Sequence, residues 1–189
     1  MGQEQLYTVL EEFSSFELRH YPTHVMAEVA VHASFADAAT VAYGFLHGYL
    51  HGGNHSRAGS RDCLVANLPV AVEMTAPLML RDGGPPGVHL VGFALPAGYD
   101  LDTAPLPRDP AVVLRSVPDS LGAAARLGGK WTGENFHAAG RRLAVDVAGK
   151  GLRPAGTPRF ARFEPRPEAR FRRGRRRAEV VVDIAPAGR

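Results

Sequence analysis

Cysteine is almost absent from this sequence, since Cys63 is the only one in 189 residues. One thiol excludes a disulfide within the chain and any zinc or iron–sulfur site built from several cysteines of that chain. A domain of this length buries about 70% of its unfolded surface on folding, so its core needs no covalent link or structural metal. The class of disulfide-rich secreted scaffolds is therefore excluded.

Long apolar runs are missing as well. No window approaches the 18 continuous apolar residues that indicate a membrane-spanning helix. The first residues, MGQEQLYTVLEEF, contain no positive stretch followed by an apolar one, as a signal peptide does. Gly2 follows the first Met, but Leu6 stands where a myristoylation signal has Ser or Thr. We therefore expect a soluble, cytoplasmic protein with no membrane insertion.

Net charge is low, at +3, but positive charge is concentrated near the C-terminus. The arginines of this run are Arg170, Arg172, Arg173, Arg175, Arg176 and Arg177. Such a run suits nucleic acid, an acidic membrane surface or carboxylate ligands, and it is also typical of a solvated loop. Phe171 is the one aromatic residue within it, whereas single-strand binders use several stacking platforms. The sequence therefore argues against nucleic acid as the partner.

Apolar spacing in the first half of the chain predicts strands around one helix. The predicted strands cover residues 7–10, 16–21, 25–31, 71–80 and 88–95. The predicted helix covers Phe35–Leu50, where apolar residues recur every three or four positions. Ser34 is the expected N-cap, and Gly52 and Gly53 mark the end of this helix.

The second half repeats this order. Its predicted strands cover residues 112–117, 122–127, 160–163 and 179–184, and its predicted helix follows Thr132 and ends near Ala148. Two such units predict one α+β domain over residues 1–189, with an internal duplication of about 7–95 and 105–185. We expect a mostly antiparallel sheet that closes into a twisted barrel, with two long helices outside it.

Four segments resemble the SOUL, or haem-binding-protein, family in their order and spacing. They are YTVLEEFSSFELRHYP (7–22), EMTAPL (73–78), GKWTGENF (129–136) and GLRPAGTPRFARFEP (151–165). Met74 to Pro77 are expected to end an internal strand, and Trp131 to anchor the entry of the second helix. The resemblance implies the fold of that family and, as an expectation, haem or another tetrapyrrole as the cofactor. Family membership does not by itself guarantee the ligand.

The resemblance also implies a place for the ligand, on the outer surface of the first helix. Tyr43, His47 and His51 are spaced i, i+4 and i+8 there, so they fall on one stripe away from the core-facing residues. A neutral imidazole binds haem iron, so His47 is the expected axial ligand. His51 is the second candidate, and iron without a protein ligand is the remaining alternative.

Haem also needs cationic partners for its propionates and apolar cover for its ring. The resemblance implies basic residues just before the last strand, and the sequence there reads FRRGRRR. Arginine can bind a carboxylate through two parallel hydrogen bonds. The candidates for this clamp are Arg173, Arg176 and Arg177, and the candidates for apolar cover are Phe45, Leu50 and Leu78.

Three classes of function stay open at this point. The first is a module that carries, buffers or senses haem or another tetrapyrrole. The second is a small-molecule effector-binding module like those of bacterial regulators, although no DNA-binding helix-turn-helix is present. The third is a haem-dependent enzyme with peroxidase-like or haem-degrading activity. No catalytic motif of the common hydrolase, zinc or nucleotide-binding kinds stands in a suitable context, so the chemistry of such an enzyme would come from the haem iron.

Overall fold

A computed structural model of the protein describes residues 4–57, 67–163 and 177–186. Within these ranges the helices are α1 (Phe35–Leu50) and α2 (Gly133–Gly149). The strands are β1 (Thr8–Glu12), β2 (Glu17–Tyr21), β3 (His24–His32), β4 (Asn54–His55), β5 (Leu78–Asp82), β6 (Val88–Ala94), β7 (Leu106–Pro107), β8 (Val112–Val117), β9 (Ser120–Arg126), β10 (Pro154–Phe163) and β11 (Arg177–Ile184). Nine of them form one antiparallel sheet, and β4 pairs separately with β7.

The large sheet is open, so the predicted barrel is wrong, while the α+β class with two helices is confirmed. The strand order is β1-β2-β9-β11-β10-β5-β6-β3-β8. A barrel requires its two edge strands to pair, but β1 pairs with β2 and β8 pairs with β3. Next to β1, Glu4 forms a single bridge with Ala76, which is too little to close the sheet.

The strand order is symmetrical about the centre of the sheet. Outward from the centre, β10, β11, β9 and β2 on one side correspond to β5, β6, β3 and β8 on the other. One unit consists of β3, α1, β5 and β6, and the other of β9, α2, β10 and β11. Strand β2, which precedes the first unit, pairs with β9 of the second, and β8, which precedes the second unit, pairs with β3 of the first. Each half of the chain therefore depends on the other to complete its part of the sheet. An internal duplication in the strict sense stays a prediction.

Both helices lie on one face of the sheet, and both begin at the predicted caps. The side chains of Ser34 and Thr132 each accept a hydrogen bond from the backbone N–H three residues on, over 3.3 and 3.2 Å. The helices meet at an aromatic cluster, in which Phe35 stacks on Phe136 at 5.4 Å and Phe160 contacts both rings. In the described ranges, neither helix is long and apolar enough to cross a bilayer.

The opposite face of the sheet is buried too. Its apolar cluster consists of Tyr21, Met26, Met79, Ala94, Ala124, Ala161, Phe163 and Val181. The segment before β1 lies across this face: Gln5 donates its backbone N–H to the carbonyl oxygen of Ala76 at 2.7 Å, and its side chain contacts His24 at 3.0 Å. Tyr7 packs on Tyr21 beside it. Polar side chains that point to this face therefore need partners within the protein.

Residues 71–77 do not continue the predicted strand, which begins only at Leu78. Their backbone serves other contacts, since Val72 donates to the carbonyl oxygen of Leu50 at 2.9 Å and Ala71 bridges to His51. The Met74 to Pro77 motif therefore precedes β5 and does not end a strand. The hydroxyl of Thr75 donates to the carbonyl oxygen of Ala94, which ties this motif to the end of β6.

Replacing Asn54 tests how strongly a buried amide supports the end of α1. Its side chain is fully buried, donates to the carbonyl oxygens of Tyr49 (2.6 Å) and Val70 (2.8 Å), and accepts from the N–H of Val70 (2.9 Å). Asn54→Ala leaves three buried backbone groups unpaired, so we expect urea unfolding to show a loss of about 3–5 kcal/mol.

Asn135→Ala is the matched control. That amide also donates to two backbone carbonyl oxygens, those of Gly128 and Lys130, but at the surface, where water replaces it. We expect a loss of about 1 kcal/mol or less for this variant. Equal losses in the two variants would contradict the assignment of the larger effect to burial.

Candidate functional site

Tyr43, His47 and His51 form one exposed row along the outer side of α1. The ring centroids of Tyr43 and His47 are 5.3 Å apart. Those of His47 and His51 are 4.0 Å apart, and their planes are inclined by only 18°, so the two imidazoles stack. The structure thus brings these three sequence-predicted residues together at the surface.

The geometry of His51 determines where its lone pair lies. Its Nδ1 atom is 2.9 Å from the carbonyl oxygen of His47, and a carbonyl oxygen can only accept. Nδ1 therefore carries the hydrogen, and in the neutral ring Nε2 carries the lone pair. Metal-binding histidines commonly have this arrangement, with one ring nitrogen on a backbone carbonyl and the other on the metal. Spacing alone did not reveal it, because it depends on how the chain leaves the helix.

The surface beside the imidazole row is partly apolar. The side chains of Val41, Tyr43 and Phe45 are 45%, 53% and 38% exposed. Val41 and Phe45, four residues apart, share one side of this surface, and Tyr43 lies on the side of the imidazoles. Gly44 and Gly48 lie between the two sides of this surface, and a Cβ atom at either would meet no atom within 4 Å. A flat ligand can therefore approach the helix backbone closely here. We call the surface formed by residues 41, 43–45, 47, 48 and 51 the outer face of α1.

Two residues expected to cover the ligand do not reach this surface. Leu50 and Leu78 are buried in the core under the helices, so their expected role in covering the ligand is wrong. Phe45 is exposed as that role requires. Val41 was missed by sequence reasoning, although its position one turn before Phe45 was a usable signal.

Arg177, the first residue of β11, is engaged elsewhere. Its Nε and one terminal nitrogen donate to Glu179 at 3.0 and 2.7 Å, and its guanidinium lies 4.1 Å from the ring centre of Phe163. Alternation along the strands places all three side chains on the sheet face opposite the helices. The structure therefore does not bring Arg177 to the outer face of α1. Arg173 and Arg176 lie outside the described residues.

A buried carboxylate, Glu28, lies on that opposite face. It accepts from Arg115 at 2.9 and 3.1 Å and from Arg81 at 3.3 and 3.4 Å. Burial alone would raise the pKa of Glu28, but the two arginines outweigh it and hold the pKa below its ordinary value. The contact with Arg81 crosses β6 at Gly92, where a Cβ atom would lie 2.8 Å from Cγ of Glu28. Glycine is therefore needed at this position of β6.

A second buried carboxylate, Glu179, has the same kind of environment. It accepts from Arg19 at 2.7 and 3.3 Å and from Arg177, and both Glu179 and Arg19 are under 5% exposed. Burial acts to raise the pKa of Glu179, and the hydrogen bonds and charge of the two arginines bring it below its ordinary value. Arg19 in turn lies 4.2 Å from the ring centre of Tyr7. These contacts are structural, since the groups satisfy one another.

Little space remains between these charged groups. The cavity bounded by Met26, Glu28, Met79 and Arg115 measures about 20 Å³. That volume holds about one water molecule, whereas sites for small ligands typically measure about 300–1,000 Å³. This cavity is therefore too small for such a ligand.

By its fold this is an α+β protein in which two helices cover one face of an open antiparallel sheet with a symmetrical strand order. A family model described as "SOUL heme-binding protein" matches residues 3–183, so the chain belongs to the SOUL heme-binding protein family. A comparison with curated proteins gives no match.

Two solved structures have a similar fold. The crystal structure of the EcmrR C-terminal domain has a TM-score of 0.56 and 10% identity, over 96% of this chain and 99% of that one. EcmrR in a cryo-EM structure of an EcmrR–DNA complex has a TM-score of 0.55 and 9% identity, over 97% of this chain and 59% of that one. At such low identity the likeness shows the fold alone.

The family implies haem, and the outer face of α1 fits its ring and its iron. Neutral imidazole is a common axial ligand, and the His47–His51 pair presents one at the surface with a lone pair on Nε2 of His51. The exposed Val41, Tyr43 and Phe45 supply the apolar contacts that a macrocycle needs. Of the three arginines expected to hold the propionates, Arg177 does not reach this surface, because it is bonded to Glu179 on the other sheet face.

Replacing Glu179 tests the buried charge pairs. Because the folded-state pKa lies below the ordinary value of 4.5, the pair stabilises the protein above about pH 4.5, and this is lost as pH falls through the folded pKa. Glu179→Gln leaves Arg19 buried without a carboxylate, so we expect a loss of about 3–5 kcal/mol at pH 7. We also expect a shallower fall in stability below pH 5, measured by urea unfolding at several pH values.

Glu17→Gln is the control for this variant. Glu17 also pairs with Arg19, at 2.6 Å, but its side chain is 39% exposed. A surface pair of this kind contributes about 1 kcal/mol or less. If Glu179→Gln behaved like Glu17→Gln, the buried pair would not be a main source of stability.

Proposed function

We propose that this protein binds haem or another tetrapyrrole on the outer face of α1 and so carries, buffers or senses it. One observation supports this most directly: two stacked, exposed imidazoles and three exposed apolar side chains share the outer side of one helix. Water-exposed apolar surface is costly unless a ligand covers it. Haem matches both parts, because its iron takes an imidazole and its ring takes apolar contacts.

We propose distinct roles for the residues of this surface. His47, at the centre of the row, is the axial ligand, and His51 stacks on it from the end of the helix. His51 is the alternative ligand, because its Nδ1–H is already held by a carbonyl oxygen. Tyr43 flanks the macrocycle from the preceding turn, together with Phe45. When bound, the haem iron supplies redox and ligand-binding chemistry, and the protein supplies its position and surroundings.

Replacing His47 tests axial ligation. We expect His47→Ala to shift the Soret band of the bound haemin and to raise the Kd by about tenfold or more, as measured by titration of the protein with haemin. Because ligation needs neutral imidazole, wild-type binding should also weaken on acidification. Titration at several pH values measures this.

His20→Ala and His137→Ala are the controls, because these side chains lie near Asp119 and Asp82 and not in the row of Tyr43, His47 and His51. Both variants should bind haemin as the wild type does. If His47→Ala leaves the spectrum unchanged and His51→Ala alters it, His51 is the ligand. If neither matters, the iron has no ligand on α1.

We propose that Arg173 and Arg176 of the 170–177 run clamp the propionates. Arg177, the third candidate from the sequence, is bonded to Glu179 on the sheet face opposite the helices, so that role is not proposed for it. Replacing Arg173 and Arg176 together by Ala should weaken haemin binding by about 2–4 kcal/mol if these residues form partly desolvated carboxylate pairs. Arg177→Ala should instead lower the free energy of unfolding, because Arg177 is bonded to Glu179. Haemin titration and urea unfolding measure the two effects. Unchanged affinity in the double variant would contradict the clamp.

An effector-binding module of the regulator type is the second candidate function. The likeness in fold to the EcmrR C-terminal domain favours it. The cavity bounded by Met26, Glu28, Met79 and Arg115 measures about 20 Å³, so an effector would have to bind elsewhere on the protein. A haem-dependent enzyme would need the same α1 site, so haemin titration bears on it too.

We further propose one domain with duplicated halves, 7–95 and 105–185, which the symmetrical strand order favours.

A further inference from the structure

A groove of about 1050 Å³ opens between the end of β9, the loop before α2 and the start of β11. Arg126 and Lys130 bring positive charge to it, whereas Arg177, which also lines it, is paired with Glu179; Trp131 and Leu127 bring apolar surface. The groove is distant from the imidazole row. Trp131 packs on Phe160, which contacts Phe35 at the first residue of α1, and His47 lies twelve residues, or about 18 Å, further along that helix.

The wall formed by residues 128–131 is held in place from within the protein. The side chain of Asn135 donates to the carbonyl oxygens of Gly128 and Lys130 at 2.8 and 2.9 Å. Gly129 has a φ of 81°, a left-handed conformation that favours glycine. Trp131 is fixed by Phe160 at its edge and by the Arg162 guanidinium, 5.5 Å from its ring centre. A ligand therefore meets a preformed surface, which lowers the entropy cost of binding.

The described residues that line the groove carry positive charge only; the nearby Glu179, across from Arg126 on β11, is already paired with Arg19 and Arg177. No carboxylate is among the groove's described lining residues, and Arg126 and Lys130 make no hydrogen bond or ion pair with another described side chain. Arg126 also borders a neighbouring recess lined by Arg141, Arg142 and Asp146, whose formal charges sum to a positive value on that side. Like charges brought together in this way repel one another, so an anion that joins them is favoured.

The geometry points to a second binding site in this groove, for a planar aromatic ligand with two anionic groups. One anionic group pairs with Lys130 and the other with Arg126, and the ring packs against the part of Trp131 that the groove exposes. The site needs no iron and no histidine. It therefore differs from the proposed haem site in both its place and its chemistry.

The single tryptophan of the sequence gives a local readout. In a ¹H–¹⁵N spectrum of the full chain, the indole N–H of Trp131 is one resonance, and titration with 2,6-naphthalenedicarboxylate should shift it saturably. The neutral dimethyl ester should not shift it at matched concentration. The double variant Arg126→Gln/Lys130→Gln should raise the Kd by about tenfold or more, because two charge-assisted contacts are lost.

Lys150→Gln is the matched control, since Lys150 is the only other lysine and lies beyond the far end of α2. It should bind the dicarboxylate as the wild type does, and so should His47→Ala. If haemin bound to His47→Ala as it does to the wild type, the result for the dicarboxylate would still stand. The inference is overturned if the indole resonance does not shift, if the ester binds equally well, or if the double variant keeps wild-type affinity.

Discussion

Two carboxylates are buried on the sheet face opposite the helices, and each is held by an arginine from across an intervening strand. Glu28 of β3 reaches Arg81 of β5 over β6, and Glu179 of β11 reaches Arg19 of β2 over β9. Such contacts need a strand without bulk between the partners, and Gly92 provides it in β6. The strand order, the positions of small residues and the charge pairs therefore constrain one another, since an unpaired charge at these depths is costly.

Local chemistry explains why much of the fold was predictable. The bounds of α1 follow from the cap at Ser34 and the apolar period after it, and those of β8 from alternation. Residues 71–77 misled the prediction, because their apolar alternation is that of a strand while their backbone bonds to Leu50 and Glu4. The barrel was wrong for a related reason. Alternation shows which side of a strand is buried, but closure depends on pairing between strands far apart in sequence.

The candidate site, too, was predictable from the sequence only in part. The row Tyr43, His47 and His51 lies on one helix, so its spacing was enough to place it. The tautomer of His51 and the exposure of Gly44 and Gly48 were beyond the sequence, because they depend on the end of the helix and on what packs nearby. The engagement of Arg177 had a local signal, since Glu179 is two residues on and faces the same side of a strand. Arg19, the other arginine bonded to Glu179, is 160 positions away in the sequence, so no local signal pointed to it.

The symmetrical strand order gives α1 and α2 equivalent positions on the sheet, yet their outward surfaces differ in chemistry. The outer face of α1 carries imidazoles and exposed apolar side chains, whereas Arg141 and Arg142 are exposed on α2. The opposite sheet face instead carries buried charge pairs whose members satisfy one another. The symmetrical fold therefore fixes where these side chains stand, and the two halves differ in which side chains they place outward.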